Sequence, residues 1–140
     1  MVKYGFTGNR SGLSTEQKLQ VYNLLVSHIA NNETIEVHHG DCVGADKEFN
    51  DICLQLHQEY PNANIHIVVH PSIDNTFRAH TNSDISSIQI SLPNLMRNKL
   101  IVNQTDKLIG CPRSAKEIIR SGTWATIRYA RKHNKPVFLF

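Results

Sequence analysis

Long apolar runs are missing from this chain, which excludes a helix that spans a bilayer: no stretch approaches the ~20 apolar residues such a crossing needs. Cysteine is scarce. Cys42, Cys53 and Cys111 are odd in number and lack metal-type spacing, so neither a disulfide framework nor a thiolate metal site is expected. Reduced thiols fit a cytoplasmic compartment. The stretch Met1-Val2-Lys3-Tyr4-Gly5-Phe6 has no apolar h-region, so no secretory leader is expected. A strong excess of one charge is lacking too. The net charge is +3, a mild basicity that suits an anionic small ligand and falls short of a dedicated nucleic-acid binder. The late cations Arg113, Lys116, Arg120, Arg128, Arg131, Lys132 and Lys135 read mostly as solvated helix faces. Aromatic residues are only 7%, too few for a run of base-stacking platforms. Repeats, linkers and low-complexity segments are absent, and 140 residues suit one domain, 1–140, around one core.

What is present is an alternation of short apolar runs with amphipathic segments. Lys3–Thr7 reads as a first strand. Ser14 and Gln17 form a capping box that opens a helix with Leu19, Tyr22, Leu25, Val26 and Ile29 on one face. Thr34–His38 is a second strand; Phe49, Ile52, Cys53, Leu56 and Tyr60 then recur at helical spacing. Asn64–His70 is nearly continuous in apolar character, as a buried parallel strand is. A polar stretch from Pro71 to Ser91 is long for a plain loop, and Ile85, Ile88 and Ile90 suggest a short extra strand within it. After Pro93, residues Leu95, Met96, Leu100, Ile101 and Val102 predict a largely buried helix. Lys107–Cys111 is a fourth strand. Arg113–Arg120 is a polar insertion. Ser121 opens a last helix with Trp124, Ile127 and Ala130 turned inward, and Pro136–Phe140 is a fifth strand. This order predicts an α/β fold, a Rossmann-like three-layer sandwich. Its mainly parallel five-stranded sheet would run 3-2-1-4-5 with helices on both faces. Ligands bind such sheets at the carboxyl ends of the strands, where the order reverses.

Three glycine turns should meet there: Thr7-Gly8-Asn9-Arg10 after strand 1, His39-Gly40-Asp41-Cys42-Val43-Gly44-Ala45-Asp46 after strand 2, and Ser121-Gly122-Thr123 near the end of strand 4. Glycine admits close approach of a ligand, and a helix start offers free N–H groups and a positive dipole end to a phosphate. Arg10 and Arg97 are the expected fixed cations, since a guanidinium can grip a phosphate through two parallel bonds. The alternative for Arg97 is a surface salt bridge. Asp46 is read either as an acceptor for ribose hydroxyls or as a complement to the helix dipole, and Asp41 as a cap of the second helix. His38 and His39 are adjacent on an extended segment, so they point to opposite faces and cannot share a site. No metal and no cofactor is expected. Cys42 is read as a small buried thiol, although a helix start could lower its pKa. Trp124 and Tyr129 could stack on a base, but helical spacing places Trp124 in the core.

The blocks Gly5-Phe6-Thr7-Gly8-Asn9-Arg10, His39 to Asp46, His70-Pro71, Arg97-Asn98, Asp106, Pro112 and Ser121-Gly122-Thr123 occur in an order that resembles the SLOG superfamily, over nearly the whole chain. The likeness is to its small stand-alone members of the YspA type. It implies a Rossmann-like fold that binds nucleotides or nucleotide-derived ligands. More distant relatives are lonely-guy phosphoribohydrolases, DNA-processing recombination mediators and sensor domains for NAD-derived signals. Arg97 matches the arginine of the lonely-guy motif, but the position of that family's glutamate is Thr126. Threonine cannot act as the carboxylate that assists N-glycosidic cleavage.

The leading expectation is therefore a binding module, sensor or sequestering protein, for a nucleotide-derived (ADP-ribose- or NAD-like) small molecule. Its ligand residues would be Thr7, Gly8, Asn9, Arg10, Gly40, Asp41, Cys42, Gly44, Ala45, Asp46, Arg97, Asn98, Ser121, Gly122 and Thr123. The 71–91 loop, with Arg78 and His80, would close over the ligand. A second reading is a nucleotide N-glycosidase using Arg97 and Asp46. A third is single-stranded DNA binding, which the modest charge argues against. No membrane partner is expected. The resemblance is compatible with a homo-oligomer.

Overall fold

The computed structural model describes residues 1–140. Ten elements alternate in the expected manner: β1 (Val2–Gly8), α1 (Thr15–Ala30), β2 (Ile35–His39), α2 (Ala45–Glu59), β3 (Ile65–Val69), β4 (Ser86–Ile88), α3 (Asn94–Asn103), β5 (Lys107–Cys111), α4 (Gly122–Lys132) and β6 (Val137–Leu139). All strand pairs are parallel, in the order β4-β3-β2-β1-β5-β6. The five expected strands hold the expected order. The sixth is the short strand suspected near Ile88, which adds at the edge beside β3. No helix is long and apolar enough to cross a membrane.

The helices form two layers. α1 and α2 pack together and between them cover β1, β2 and β3; α3 and α4 pack together and between them cover β1, β5 and β6. The larger core includes Tyr4, Phe6, Leu25, Val37, Phe49, Leu56 and Ile67, with the Phe6 and Phe49 rings stacked at 4.1 Å. The smaller core is Val102, Leu108, Trp124, Ile127 and Ala130. Burial of each such side chain contributes about 1.5–3 kcal/mol. The capping box is present, with Gln17 N–H donating to Ser14 Oγ and Ser14 N–H to Gln17 Oε1, both at 3.0 Å. The Gln17 amide also donates to the carbonyls of Pro112 and Phe140, tying α1 to the carboxyl ends of the strands. α3 departs from expectation. Leu95 is 68% and Met96 57% exposed, because only Arg97, Ile101 and Val102 face inward.

Candidate functional site

β1 lies between β2 and β5, so the chain runs outward in both directions from β1. A cavity of about 370 Å³ opens at the carboxyl ends of these strands, within the size range of small-molecule sites. All three glycine turns reach it. Thr7, Gly8, Asn9 and Arg10 line it from the first turn, Gly40, Asp41, Cys42 and Asp46 from the second, and Ser121, Gly122 and Thr123 from the third. Arg97 and Asn98 of α3 and Arg78 of the β3–β4 loop complete the set of anticipated residues on its wall. Gly44 and Ala45 do not line it: they lie beneath the turn, where Ala45 N–H donates to Asn9 O at 3.1 Å.

The two helix starts differ in what they offer. In the second turn the amides are taken by the protein. Asp41 N–H donates to His39 Nδ1, Cys42 N–H to Asp46 Oδ2, Val43 N–H to Phe77 O and Lys47 N–H to Cys42 O. The expected free amides of this turn are thus largely occupied. At α4, Ser121 caps through its hydroxyl, which accepts from Trp124 N–H. The N–H groups of Gly122 and Thr123 have no acceptor in the protein, as at any helix start left to solvent or ligand. A Cβ at Gly122 would meet nothing within 4 Å, so the space beside this helix start is open.

Arg97 is no surface ion pair. Its side chain is buried and its guanidinium bonds to neutral groups. Nη1 donates to the carbonyls of Gly40 and His70, and Nε donates to Asn98 Oδ1 at 2.7 Å. Nη2 has only long contacts, 3.4 Å to Asn94 Oδ1 and 3.8 Å to Cys42 Sγ, so it remains the part with donor capacity to offer. Gly40 permits this: a Cβ there would stand 2.7 Å from Nη1 and 3.0 Å from Asp46 Oδ2.

Asp41 does not cap α2; Gly44 holds that position without a side-chain bond. Asp41 instead fastens the following loop. Its Oδ2 accepts from Arg78 Nε at 3.0 Å, and its Oδ1 accepts from both the N–H and the hydroxyl of Thr81. Arg78 itself lines the cavity, and neither of its terminal nitrogens bonds within the protein. Asp41 is itself in the left-handed region at φ 57°, held there by His39, whose Nδ1 accepts its N–H. His39 Nε2 bonds to Asn50 Oδ1, which fixes the tautomer. Asp46 is the buried carboxylate that faces the cavity without a side-chain partner, and the exposed Asp74 stands at the rim. Burial pushes its pKa up, against the opposing pull of His39, Arg97 and the Cys42 amide. Burial, followed by the Asp46 charge, also pushes the Cys42 thiol up, so the helix start does not make it a thiolate. His80 is exposed at φ 58° and does not line the cavity.

Several wall residues carried no signal of their own. Phe6, Val43, Phe77, Leu95 and Ile101 supply apolar surface, and Ser72, Asp74 and Asn94 supply polar rim. Thr126, the position of the lonely-guy glutamate, also reaches the wall; its hydroxyl donates to Gly122 O at 3.0 Å. Tyr129 does not: its hydroxyl donates to Asn103 Oδ1 away from the cavity, and Trp124 lies in the core.

Behind Arg97 sits a buried histidine pair. His38 Nδ1 and His70 Nε2 are 2.8 Å apart, and His38 Nε2 is 3.0 Å from Glu36. Desolvation, then the charges of His38, His39 and Arg97, press the His70 pKa down to about 3; desolvation also lowers that of His38. A histidine kept neutral by folding stabilises the fold above its unfolded pKa, near 6.5, and loses that contribution as pH falls toward the folded value. The expected result is a stability that declines between pH 6.5 and 4.5, by at most about 1.4 kcal/mol per pH unit from His70, with His38 adding in the same direction. Asp46 works in the opposite direction, because its folded pKa is raised. The lowered carboxylates Glu33, Glu36 and Asp74 act nearer pH 4. Urea unfolding at pH 7.0, 5.5 and 4.5 checks this; equal midpoints at all three would refute it.

No family model matches the chain. No curated protein matches it either. Among solved structures, it is similar to the molybdenum cofactor binding protein from the phototrophic bacterium Rippkaea orientalis. The TM-score is 0.65 at 20% sequence identity, covering 99% of this chain and 75% of that one. At that identity the likeness is one of fold.

Proposed function

We propose that this protein binds a nucleotide or nucleotide-derived small molecule at the carboxyl edge of its sheet, as a sensor or sequestering module. One observation carries the reading: the two unoccupied amides of Gly122 and Thr123 open into a cavity that also presents Arg10, Arg78, Arg97 and the buried carboxylate of Asp46. A phosphate has its seat at the α4 start, where amides and dipole favour negative charge. Asp46 would repel a phosphate placed beside it, but it accepts hydrogen bonds from sugar hydroxyls. Anionic and hydroxyl-bearing parts of one ligand therefore have separate places. The resemblance to the SLOG superfamily supports this reading. So does the shared fold with a protein named for binding a molybdenum cofactor, as an instance of small-molecule binding on this architecture.

A second reading, N-glycosidic cleavage in the same cavity, is favoured by Asp46, whose raised pKa suits a general acid. Asp41 is not available for that role, since both its oxygens are engaged.

Mass spectrometry of small molecules released from the heat-denatured protein, with thermal unfolding against AMP, ADP-ribose and NAD, tests the proposal. Ligand at a hundredfold excess over Kd stabilises by about 2.7 kcal/mol, a rise of roughly 8 °C for a chain of this size. Gly122→Val should fold normally and weaken binding at least about tenfold by covering the amides. Free base in the incubation, lost in Asp46→Asn, would select the enzyme. No stabilisation by any of the three ligands and no released phosphorylated compound would overturn the binding reading.

A further inference from the structure

The phosphate seat and the sugar acceptor leave the third part of a nucleotide, its planar base, without a partner. Stacking on aromatic faces is how proteins hold bases without demanding one identity. The two aromatic residues suspected from sequence are not on the cavity wall: Trp124 is packed in the core and Tyr129 is bonded to Asn103. Phe6 touches the cavity but is 1% exposed and stacked on Phe49.

Phe77 is different. It is an exposed aromatic ring in an otherwise polar loop, 40% exposed, and it lies on the cavity wall. Free placement of such a ring in water is unfavourable, and the backbone on either side of it is tied down. Phe77 O accepts Val43 N–H at 2.8 Å, and the next residue, Arg78, is fastened to Asp41. The guanidinium of Arg10, from the turn after β1, lies over the Phe77 ring at 3.6 Å from its centroid. Arg10 makes no salt bridge. A planar cation is thus flattened on an aromatic ring across the mouth of the cavity, joining two loops that nothing in the sequence relates. A guanidinium so placed keeps its N–H edge and can share the stack with a further π system.

We infer that the Arg10–Phe77 pair is the platform for the planar heterocycle of the bound molecule, and that it sets the preference of the site for a nucleotide over a bare sugar phosphate. This rests on the nucleotide reading of the cavity and adds the residues that recognise the base. Because stacking scales with the area of the ring system, purine nucleotides bind more tightly than pyrimidine ones. Because every base has a π face, AMP and GMP differ little.

Paired probes test it on the full chain. Binding of AMP, GMP, UMP and ribose 5-phosphate is measured by calorimetry for the wild type, Phe77→Leu, Phe77→Trp and Gly122→Val. Phe77 is exposed, so Phe77→Leu should unfold within about 2 °C of the wild type. The expected result is an AMP affinity reduced about tenfold or more in Phe77→Leu, with ribose 5-phosphate changed less than about twofold. Phe77→Trp restores AMP binding, and Gly122→Val weakens both probes alike. Equal loss of AMP and ribose 5-phosphate in Phe77→Leu, or no loss of either, overturns the platform while leaving the nucleotide reading intact. Failure of every nucleotide to bind the wild type overturns both.

Discussion

Gly44→Ala is expected to destabilise the fold by about 3 kcal/mol or more, which lowers Tm by roughly 10 °C. Gly44 is the N-cap of α2, at φ 86° and ψ −125°. Few L-residues adopt that backbone, and a methyl group adds a second cost. A Cβ at Gly44 would stand 1.9 Å from Arg10 O and 2.5 Å from Arg10 C. Both atoms are backbone, so no side-chain rotation relieves the overlap. The turn after β1 must move away, which breaks the bond from Ala45 N–H to Asn9 O and carries Arg10 off the Phe77 ring. Gly122→Ala makes the control. Its Cβ enters open space at a helix start, so stability should hold or rise by up to about 0.5–1 kcal/mol. Urea unfolding of the two variants measures the contrast; a Gly44→Ala loss below 1 kcal/mol would sink the account of this turn.

That contrast also shows why the site was partly legible in the sequence. Glycine marks places where the chain approaches itself or a ligand, and a strand–turn–helix pattern says at which sheet edge. Handedness of the crossovers then orders the strands, so three turns far apart in sequence could be placed around one opening. What glycine does not say is which of the two approaches applies. Gly44 serves chain against chain; Gly122 faces open space. The amides after Gly40 have ordinary helix-start sequence, yet acceptors at His39, Asp46 and Phe77 take them. Asp41 has the local signature of a cap. Its partners lie 37 and 40 residues away, on a loop with no periodicity to place it. Pairing rather than pattern makes β4, since Ser86-Ser87-Ile88 becomes a strand by completing the edge beside β3. Leu95 and Met96 carry apolar side chains that the turn of α3 leaves outside. Phe77 was invisible as a site residue because its meaning lies in Arg10 across the cavity.

Arg97→Ala should cost about 3–4 kcal/mol, the largest loss expected from any polar side chain on the cavity wall. The guanidinium supplies the donors for the Gly40 and His70 carbonyls, both at the ends of central strands. Without it two buried carbonyls lack that donor and the floor between β2, β3 and α3 is hollow. Each unsatisfied group costs about 1–3 kcal/mol. Arg97→Lys should recover only part of this, because a single ammonium in the place of Nη1 can serve the two carbonyls but leaves Asn98 Oδ1 without the donor that Nε supplies. The ligand effect separates from the stability effect through Asp46. Arg97 is one of the charges that oppose the upward shift of the Asp46 pKa. Its removal raises that pKa further, so sugar-hydroxyl recognition by the carboxylate should fail at a higher pH in Arg97→Ala than in the wild type. AMP binding measured from pH 5 to 8, at a temperature where both proteins are folded, reads this displacement directly. A profile shifted toward alkaline pH supports Arg97 as a cation that favours the ionised form of Asp46. Superimposable profiles would leave Arg97 only as the clamp on the two strand ends.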